Sequence, residues 1–271
     1  MTLQKNNIIQ NLNKRLSVQL SLSGLSFLVT NPINKEIVHF SKKIFPKPIS
    51  PEQLLLELKS NFNENKELNN NFIDVNIIYN TTLYTLTPSS LFNPSKASEY
   101  LKFNSKILIN DFIAYDEVKN HDIIIVYIPF VNINNYLFDK FGDFNYYHSS
   151  TVLLQHILDK EKSFKLPKVY LNVSNNSFDF LAIKNGGLQI CNTYEFNTPE
   201  DFIYYTLFCL EQLKLNPDSV DLYVTGSIKK EDENYSILYN YIRNISFYNY
   251  LEEISFSKNE NSHQNLLLKL V

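Results

Sequence analysis

The feature of this sequence that most constrains its fold is an internal repeat. Residues 16–29 and 169–182 each alternate apolar and polar side chains, break at a short polar turn, and then resume the alternation. That pattern predicts a β-hairpin in each segment. Aligning Phe27 with Phe180 places Gln19 on Asn172, Leu20 on Val173 and Ser21 on Ser174. The two segments are therefore interpreted as copies of one structural element.

The repeat continues past the hairpins. A third strand is predicted at residues 37–44 and again at residues 188–196. Gly186-Gly187 before the second of these fits a hairpin turn better than a phosphate loop, because strands flank it on both sides. Each copy then starts a helix in the same way, as Ser50-Pro-Glu-Gln53 and Thr198-Pro-Glu-Asp201. A hydroxyl at the N-cap, Pro at the first helical position and an amide or acid at the third are helix-start signals.

The matched helices are expected at residues 54–62 and 202–213, and matched strands follow at residues 74–79 and 221–226. Asp74 and Asp221 open these strands. The order βββαβ thus occurs twice, which indicates two duplicated lobes and not a solenoid. The predicted fold class is α/β, with two lobes of mixed sheet flanked by helices.

The expected domains are a polar N-terminal tail at residues 1–15, a first lobe at 16–148 and a second lobe at 149–271. The first lobe contains an insertion without a counterpart. Its predicted strands are residues 82–87, 107–113 and 123–130, with helices around residues 88–100 and 134–141. A further helix is expected from Ser149 or Ser150. Residues 61–71 and 257–265 are interpreted as solvated loops, and the apolar end, residues 266–271, as a closing strand.

Composition excludes several classes of protein. Of 271 residues, 44% are hydrophobic and 20% charged, which permits a large core and argues against global disorder. The formal net charge of -3 argues against nucleic acid or an anionic membrane as partner. No apolar run is long enough to span a bilayer, the N-terminus has no apolar signal core, and two cysteines make no disulfide framework. We therefore expect a cytoplasmic protein.

The duplicated βββαβ unit resembles the actin-like (ribonuclease H-like) superfamily of actin, sugar kinases and Hsp70 ATPase domains. Pseudo-ATPase members that act as scaffolds in type II secretion and type IV pilus assembly are most similar in size. More narrowly, the chain resembles an uncharacterised Bacteroidetes family, the domain of unknown function 3822. The segments that carry this resemblance are residues 79–92, 192–196 and 200–208. The resemblance covers nearly the whole chain, and it implies a fold but no assigned activity.

In active actin-like relatives, the first hairpin of each lobe has an Asp-x-Gly turn. Carboxylate oxygen suits the Mg²⁺ of a nucleotide, and glycine lets backbone amides approach the phosphates. Here the matching residues are Gln19 and Ser21 in one lobe and Asn172 and Ser174 in the other. An amide has no charge to hold Mg²⁺, and the Cβ of serine resists a positive φ. The neighbouring turn residues Ser23 and Asn175 fit either a small anion-binding nest or, preferably, ordinary hairpin turns.

The adenosine motif of the superfamily is a strand that runs into paired glycines. Its counterpart here, residues 222–227, has a single glycine, Gly226, followed by Ser227. These residues form a candidate ligand position at the end of a strand. A structural turn before the next helix is the preferred interpretation. Together with the two hairpins they define a degenerate nucleotide cleft.

Other groups of chemically active residues are weaker candidates. His148 and His156 are too far apart on a helix to share a metal, and no His, Cys and acid cluster has ligand spacing. We therefore predict no metal. Asp74 and Asp221 are better explained as strand-opening residues than as general acids or bases. The helix at residues 202–213 is apolar nearly all round, which favours burial on more than one side over a partner-binding face.

These observations favour a non-catalytic actin-like adaptor without a cofactor that binds a protein partner. One alternative is an ATP-binding phosphotransferase or ATPase whose acids come from elsewhere, namely Asp74, Asp179 or Asp221. Another is an RNA- or ribosome-associated factor. Only the resemblance suggests it, because members of the family are often encoded beside an RNA methyltransferase. The sequence leaves the partner and the oligomeric state open.

Overall fold

The computed structural model describes residues 14–34, 36–103, 107–108, 111–248, 263 and 265–271. These residues form two compact units. The first extends to Gln155 and includes Leu267–Val271, and the second begins at His156 and includes His263. Each unit is built on its own β-sheet.

The strands, in chain order, are β1 (Lys14–Ser21), β2 (Gly24–Asn31), β3 (Glu36–Ile44), β4 (Phe72–Tyr79), β5 (Tyr84–Pro88), β6 (Ala114–Val118), β7 (Ile123–Tyr127), β8 (Asn145–His148), β9 (Lys168–Val173), β10 (Ser177–Lys184), β11 (Gly187–Glu195), β12 (Asp221–Gly226) and β13 (Asn244–Phe247). The α-helices are α1 (Pro51–Glu64), α2 (Ala97–Leu101), α3 (Val131–Phe141), α4 (Ser149–Glu161), α5 (Pro199–Gln212), α6 (Glu233–Tyr241) and α7 (Leu266–Leu270). Short 3₁₀ helices lie at Lys66–Asn69, Ser89–Leu91 and Pro94–Lys96. Within the part of the chain that is described, no helix combines the length and the apolar character needed to cross a bilayer.

The two main sheets have the same topology. The first has the strand order β3-β2-β1-β4-β8 and the second the order β11-β10-β9-β12-β13. In both, the first three strands are antiparallel, while the central strand (β1 or β9) pairs in parallel with the strand after the helix. The prediction of a duplicated βββαβ unit in an α/β chain is confirmed.

The strand register supports the alignment made from the sequence. Gln19 pairs with Ser26 across the first hairpin, and Asn172 pairs with Asp179 across the second. On the parallel side, Asp74 lies opposite Arg15 and Asp221 lies opposite Lys168. Equivalent residues of the repeat therefore have equivalent cross-strand partners in the two sheets.

Both repeat helices start with a complete capping box. Ser50 Oγ accepts a hydrogen bond from the Gln53 amide at 3.3 Å, and Gln53 Oε1 accepts one from the Ser50 amide at 3.0 Å. In α5, Thr198 Oγ1 accepts from the Asp201 amide at 3.2 Å, and Asp201 Oδ2 accepts from the Thr198 amide at 3.1 Å. These bonds satisfy amides that no helical carbonyl can reach.

The insertion forms a separate antiparallel sheet of three strands, in the order β5-β7-β6. Helix α2 covers it, and Leu101 and Val126 are fully buried in its small core. The predicted strand at residues 107–113 is wrong for the described residues of that range, since the strand begins at Ala114. Ile107 and Ile113 pack against this core without pairing in the sheet, which explains their apolar character.

Other predictions also differ from the structure. The C-terminal run is helix α7 and not a strand, and Leu266, Leu267 and Leu268 are all buried, whereas an amphipathic strand would bury alternate residues. A short apolar run does not distinguish these two structures. Residues 145–148, for which no strand was predicted, form the edge strand β8 because they pair with β4.

The paired capping boxes give a test of the repeat. We expect Ser50→Ala and Thr198→Ala each to lower the free energy of unfolding by about 1 kcal/mol, because each leaves helix amides without a partner. Urea denaturation followed by circular dichroism measures the change. The control is Ser236→Ala on the exposed face of α6, which should leave stability unchanged. Equal effects for the caps and the control would contradict the capping assignment.

Candidate functional site

The turn of the first hairpin is held by its own side chains. Ser21 Oγ donates to the Gly24 carbonyl at 3.1 Å and accepts from the Ser23 amide at 3.2 Å. The Ser21 and Ser23 hydroxyl oxygens lie 3.0 Å apart. A Cβ at Gly24 would lie 2.7 Å from the Lys43 carbonyl oxygen, so the adjoining strand requires glycine there. The hydroxyl groups expected to border a nucleotide are thus engaged within the turn.

The second hairpin carries a buried polar row. Asn172 Nδ2 donates to Asp179 Oδ2 at 2.9 Å, and Thr193 Oγ1 donates to Asp179 Oδ1 at 2.6 Å. Asp179 is only 4% exposed. Burial outweighs these two hydrogen bonds and raises the pKa of its carboxyl group. Thr225 continues the row on the next strand, opposite Asn172.

The contact between Asp179 and Asn172 was not predicted from the sequence. The signal was present, because aligning Phe27 with Phe180 sets Asp179 on Ser26, directly across the hairpin from the aligned amides. The structure thus brings Asp179 and Asn172 together. Both carboxyl oxygens of Asp179 already accept hydrogen bonds from the sheet.

The tip of the second hairpin is a short polar turn. The Ser174 amide donates to the Ser177 carbonyl at 2.8 Å, which closes the turn, and Asn175 is exposed at its tip. The Asn176 carbonyl accepts from the Phe196 amide at 3.0 Å. Ser174 and Asn175 therefore stand beyond the buried row, at the end of strand β9.

Gly226 is required by the backbone. Its φ is +89°, and a Cβ there would lie 2.2 Å from the Val173 carbonyl oxygen and 3.0 Å from Asn172 Oδ1. The next amide, that of Ser227, donates to the same Val173 carbonyl at 2.6 Å. Strands β9 and β12 therefore end in close contact, which brings Gly226 and Ser227 beside Asn172.

His263 fills the end of strand β12. Its carbonyl accepts from the Gly226 amide at 3.1 Å and from Thr225 Oγ1 at 2.7 Å. Its ring Nε2 lies 2.7 Å from the Ile228 carbonyl oxygen, and the ring stacks on Phe247 with centroids 4.2 Å apart. At 2% exposure, His263 contradicts the prediction of a solvated loop at residues 257–265, most of which lie outside the described residues. No local sequence signal marks it.

The two matched acids lie at the other end of their sheets. Asp74 is opposite Arg15 on β1, and Asp221 is opposite Lys168 on β9. Each is separated from its hairpin turn by six residues of extended strand, or about 20 Å at about 3.3 Å per residue. Asp74 instead contacts Arg15 Nε at 3.0 Å and accepts from the Asn76 and Asn145 side-chain amides at 3.1 Å. Neither acid reaches the hairpin of its own unit.

A second buried carboxyl group, absent from the sequence-based candidates, lies in the insertion. Asp116 Oδ2 accepts from the His148 amide and from Thr151 Oγ1, each at 2.7 Å, while Oδ1 accepts from the Tyr127 hydroxyl at 3.1 Å. Burial raises the pKa of Asp116 to about 6 despite these bonds. Asp116 thereby ties strand β6 to the start of helix α4.

His148 and His156, the two histidines considered as metal ligands, have different hydrogen-bond partners. Burial lowers the pKa of His148 to about 4, and its Nε2 lies 2.9 Å from the Thr81 carbonyl oxygen. Burial also lowers the pKa of His156 to about 4, and its Nε2 lies 2.9 Å from the Tyr248 hydroxyl. Among the described residues, no group of three or more His, Cys, Asp or Glu side chains is arranged to hold a metal ion.

Introducing an acid at the position of Asn172 tests the polar row. We expect Asn172→Asp to lower the free energy of unfolding by about 2–3 kcal/mol, because it replaces a donor to Asp179 with a second carboxyl group. The loss of stability should grow as pH rises. At low pH one carboxyl group can be protonated and donate to the other, whereas at high pH both are ionised and repel each other. Thermal melts at acidic and alkaline pH measure both effects.

The matched control is Gln19→Asp in the first unit, which faces Ser26 and no carboxylate. It should be tolerated, with little dependence on pH. A stable Asn172→Asp variant with a pH-independent melting temperature would contradict the description of Asp179 as a buried carboxyl group that accepts a hydrogen bond from Asn172.

The raised pKa of Asp116 predicts that the stability of the wild-type protein itself depends on pH. The pKa of this carboxyl group is raised on folding, so its stabilising contribution is complete below about pH 4 and is lost as pH rises through about 6. We expect Asp116→Asn, which keeps an acceptor and removes the charge, to abolish this loss of stability. Urea unfolding across that range measures it. Asp143→Asn, at an exposed acid of the same unit, should retain the wild-type pH profile, and identical profiles for both variants would refute the assignment.

Comparison with solved structures identifies the fold. A Bacteroides thetaiotaomicron protein, described as having an actin-like ATPase fold and unknown function, matches with a TM-score of 0.81 at 24% identity, over 97% of this chain and 96% of that one. A chain of the PilM-PilN type IV pilus biogenesis complex matches with a TM-score of 0.53 at 11% identity, over 85% and 87% of the two chains. The fold is therefore actin-like, as predicted.

Comparison with curated proteins gives no match. The sequence profile of one family, described as a protein of unknown function (DUF3822), matches residues 3–245. That range contains both hairpins, both capping boxes and the insertion. It is nearly the whole chain, so the resemblance noted from residues 79–92, 192–196 and 200–208 is confirmed. The chain belongs to the DUF3822 family.

Proposed function

We propose that this protein is a non-catalytic actin-like scaffold, a pseudo-ATPase that binds a protein partner. The observation that carries the proposal is the state of Asp179. It is the carboxyl group next to the hairpin position of the second unit, and it is buried, with both oxygens bonded to Asn172 and Thr193. A magnesium nucleotide needs an accessible, ionised carboxylate. The raised pKa of Asp179 disfavours that ionised form.

The first unit supports the same conclusion by a different route. Gln19 carries no charge, its partner across the hairpin is Ser26, and the hydroxyl of Ser21 is engaged within the turn. Without glycine at Ser21, the turn also lacks the backbone freedom that lets amides surround a phosphate. Neither hairpin therefore offers the chemistry of a phosphate clamp.

The end of strand β12 adds a third argument. Two donors that could meet a ligand there, the Gly226 amide and the Thr225 hydroxyl, both donate to the His263 carbonyl. A ligand at this position must replace those two hydrogen bonds and the stacking of His263 on Phe247. His263 therefore lies at the position, residues 222–227, that corresponds to the adenosine motif.

The partner is proposed to be a protein. The chain matched in the PilM-PilN type IV pilus biogenesis complex shows, for that protein, an actin-like chain assembled with another. For the present protein we propose a cytoplasmic scaffold built from the two units described above. The ATP-binding alternative loses Asp74 and Asp221, which lie about 20 Å along their strands from the hairpins, and keeps only Asp179. The net charge of -3 argues against the RNA alternative.

The proposal predicts no stabilisation by magnesium nucleotide. A ligand at about 100 times its dissociation constant raises the free energy of unfolding by about 2.7 kcal/mol, which thermal melting detects readily. We expect melting curves with Mg-ATP, Mg-ADP and magnesium alone to coincide. A shift caused by Mg-ATP and abolished in Asp179→Asn would overturn the scaffold assignment and establish the ATP-binding alternative.

A further inference from the structure

The exposed side of helix α5 has a composition that its fold does not explain. Glu200, Tyr204, Phe208 and Glu211 are all exposed and, at spacings of four, four and three residues, follow one side of the helix. We propose that this acidic-aromatic stripe binds a basic, amphipathic helical segment of a partner protein. The inference rests on the proposed scaffold function and names the chemistry of its partner.

The aromatic residues of the stripe are unusually open to solvent. Tyr204 is 62% exposed and Phe208 is 43% exposed. Their rings stack with centroids 6.3 Å apart and an angle of 19° between planes. The two rings thus form one continuous apolar surface instead of two scattered side chains. Large aromatic side chains at such positions are the residues that supply most of the binding energy in protein interfaces.

The surface is held in place by a chain of ring contacts. Tyr204 packs edge-on against Tyr205 at 5.3 Å, and Tyr205 stacks on Tyr194 of β11 at 5.0 Å. The Tyr194 hydroxyl lies 3.1 Å from Cys209 Sγ on the same helix. Because these contacts restrict the rings before a partner arrives, less conformational entropy is lost on binding.

The duplication shows that the fold does not require the aromatic pair. Helix α1 has the same capping box and buries the corresponding positions, with Leu54 for Phe202 and Leu58 for Thr206. At the positions equivalent to Tyr204 and Phe208, counted from the N-cap, α1 has Leu56 and Ser60. The first copy of the unit therefore packs this helix without exposed rings, and the aromatic pair is a property of the second copy alone.

The charges around the rings specify a basic partner. Helix α5 contains Glu200, Asp201 and Glu211 but no Lys or Arg, whereas α1 has Lys59. Asp201 belongs to the cap, and Glu200 and Glu211 form no ion pair within the described residues. Lysine or arginine on a partner helix can pair with these carboxylates and lie over the rings. Leucine or another apolar residue on the same partner helix would cover the stacked rings. Partner helices are recognised in this way when their apolar side packs on an apolar surface.

The same charges argue against two other occupants. A nucleic acid presents phosphates, which the carboxylates at both ends of the stripe repel. An anionic membrane surface is repelled for the same reason. A basic protein segment is the partner whose charge complements the stripe along its length.

The test is a selection from a displayed library of helical peptides with Lys, Glu, Leu or Ser at the surface positions. The full-length protein is the bait, and the enriched peptides are then synthesised and measured by fluorescence anisotropy. We expect enrichment of peptides with Lys and Leu on one side. The double variant Tyr204→Leu/Phe208→Ser, which installs the residues of the first copy, should weaken their binding by about tenfold or more. Glu200→Lys should weaken binding and reduce its dependence on salt.

The control is Leu56→Ala at the equivalent position of α1, which should leave the affinity unchanged. A thermal melt of each variant establishes that it folds. Enrichment of uncharged or acidic peptides, or equal affinity for the wild type and the double variant, would refute the inference. Retention of RNA or of phosphatidylserine vesicles that the double variant loses would refute it too. None of these results alters the nucleotide melting test, so the inference and the scaffold function can fail separately.

Discussion

The structure depends on the double pairing of its two central strands. β1 and β9 each have an antiparallel hairpin partner on one side and a parallel strand on the other, so every residue along them is fixed by two neighbours. A shift of one residue would turn the whole apolar set of the strand to the wrong face. That constraint sets Gln19 and Asn172 at equivalent positions, places Asp179 across from Asn172, and keeps Asp74 and Asp221 at the far end of their sheets.

Burial determines which chemical roles are open to the carboxyl groups of Asp179 and Asp116, because it raises their pKa values. Asp179 and Asp116 both have pKa values raised by desolvation, and in both the two carboxyl oxygens accept hydrogen bonds from neighbouring donors. Such groups hold a sheet or a helix start together, because removing a buried acceptor leaves its donors unsatisfied. A metal-binding carboxylate needs access and charge. The second unit has a carboxyl group beside its hairpin, and both oxygens of that group accept hydrogen bonds from within the sheet.

The duplication makes each unit a control for the other. Features shared by both, such as the capping boxes and the buried positions of α1 and α5, are what the folding unit needs. Features present in one copy need another explanation. Among the described residues, the stacked pair Tyr204 and Phe208 and the His263 contact with Gly226 occur in the second unit only. The first is an exposed aromatic surface, and the second closes the end of a strand.

The sequence alone determined the repeat, the order of its elements, both helix caps and the amides Gln19 and Asn172 at the hairpins, because each of these follows from local periodicity or from a few adjacent residues. It did not determine the pairing of Asp179 with Asn172, the placement of His263 on Gly226, the helix at Leu266–Leu270 or the edge strand Asn145–His148. Each of these depends on contacts between segments distant in the chain or on which side of a short run is buried. Local sequence does not encode such contacts, and only the packed tertiary structure decides them.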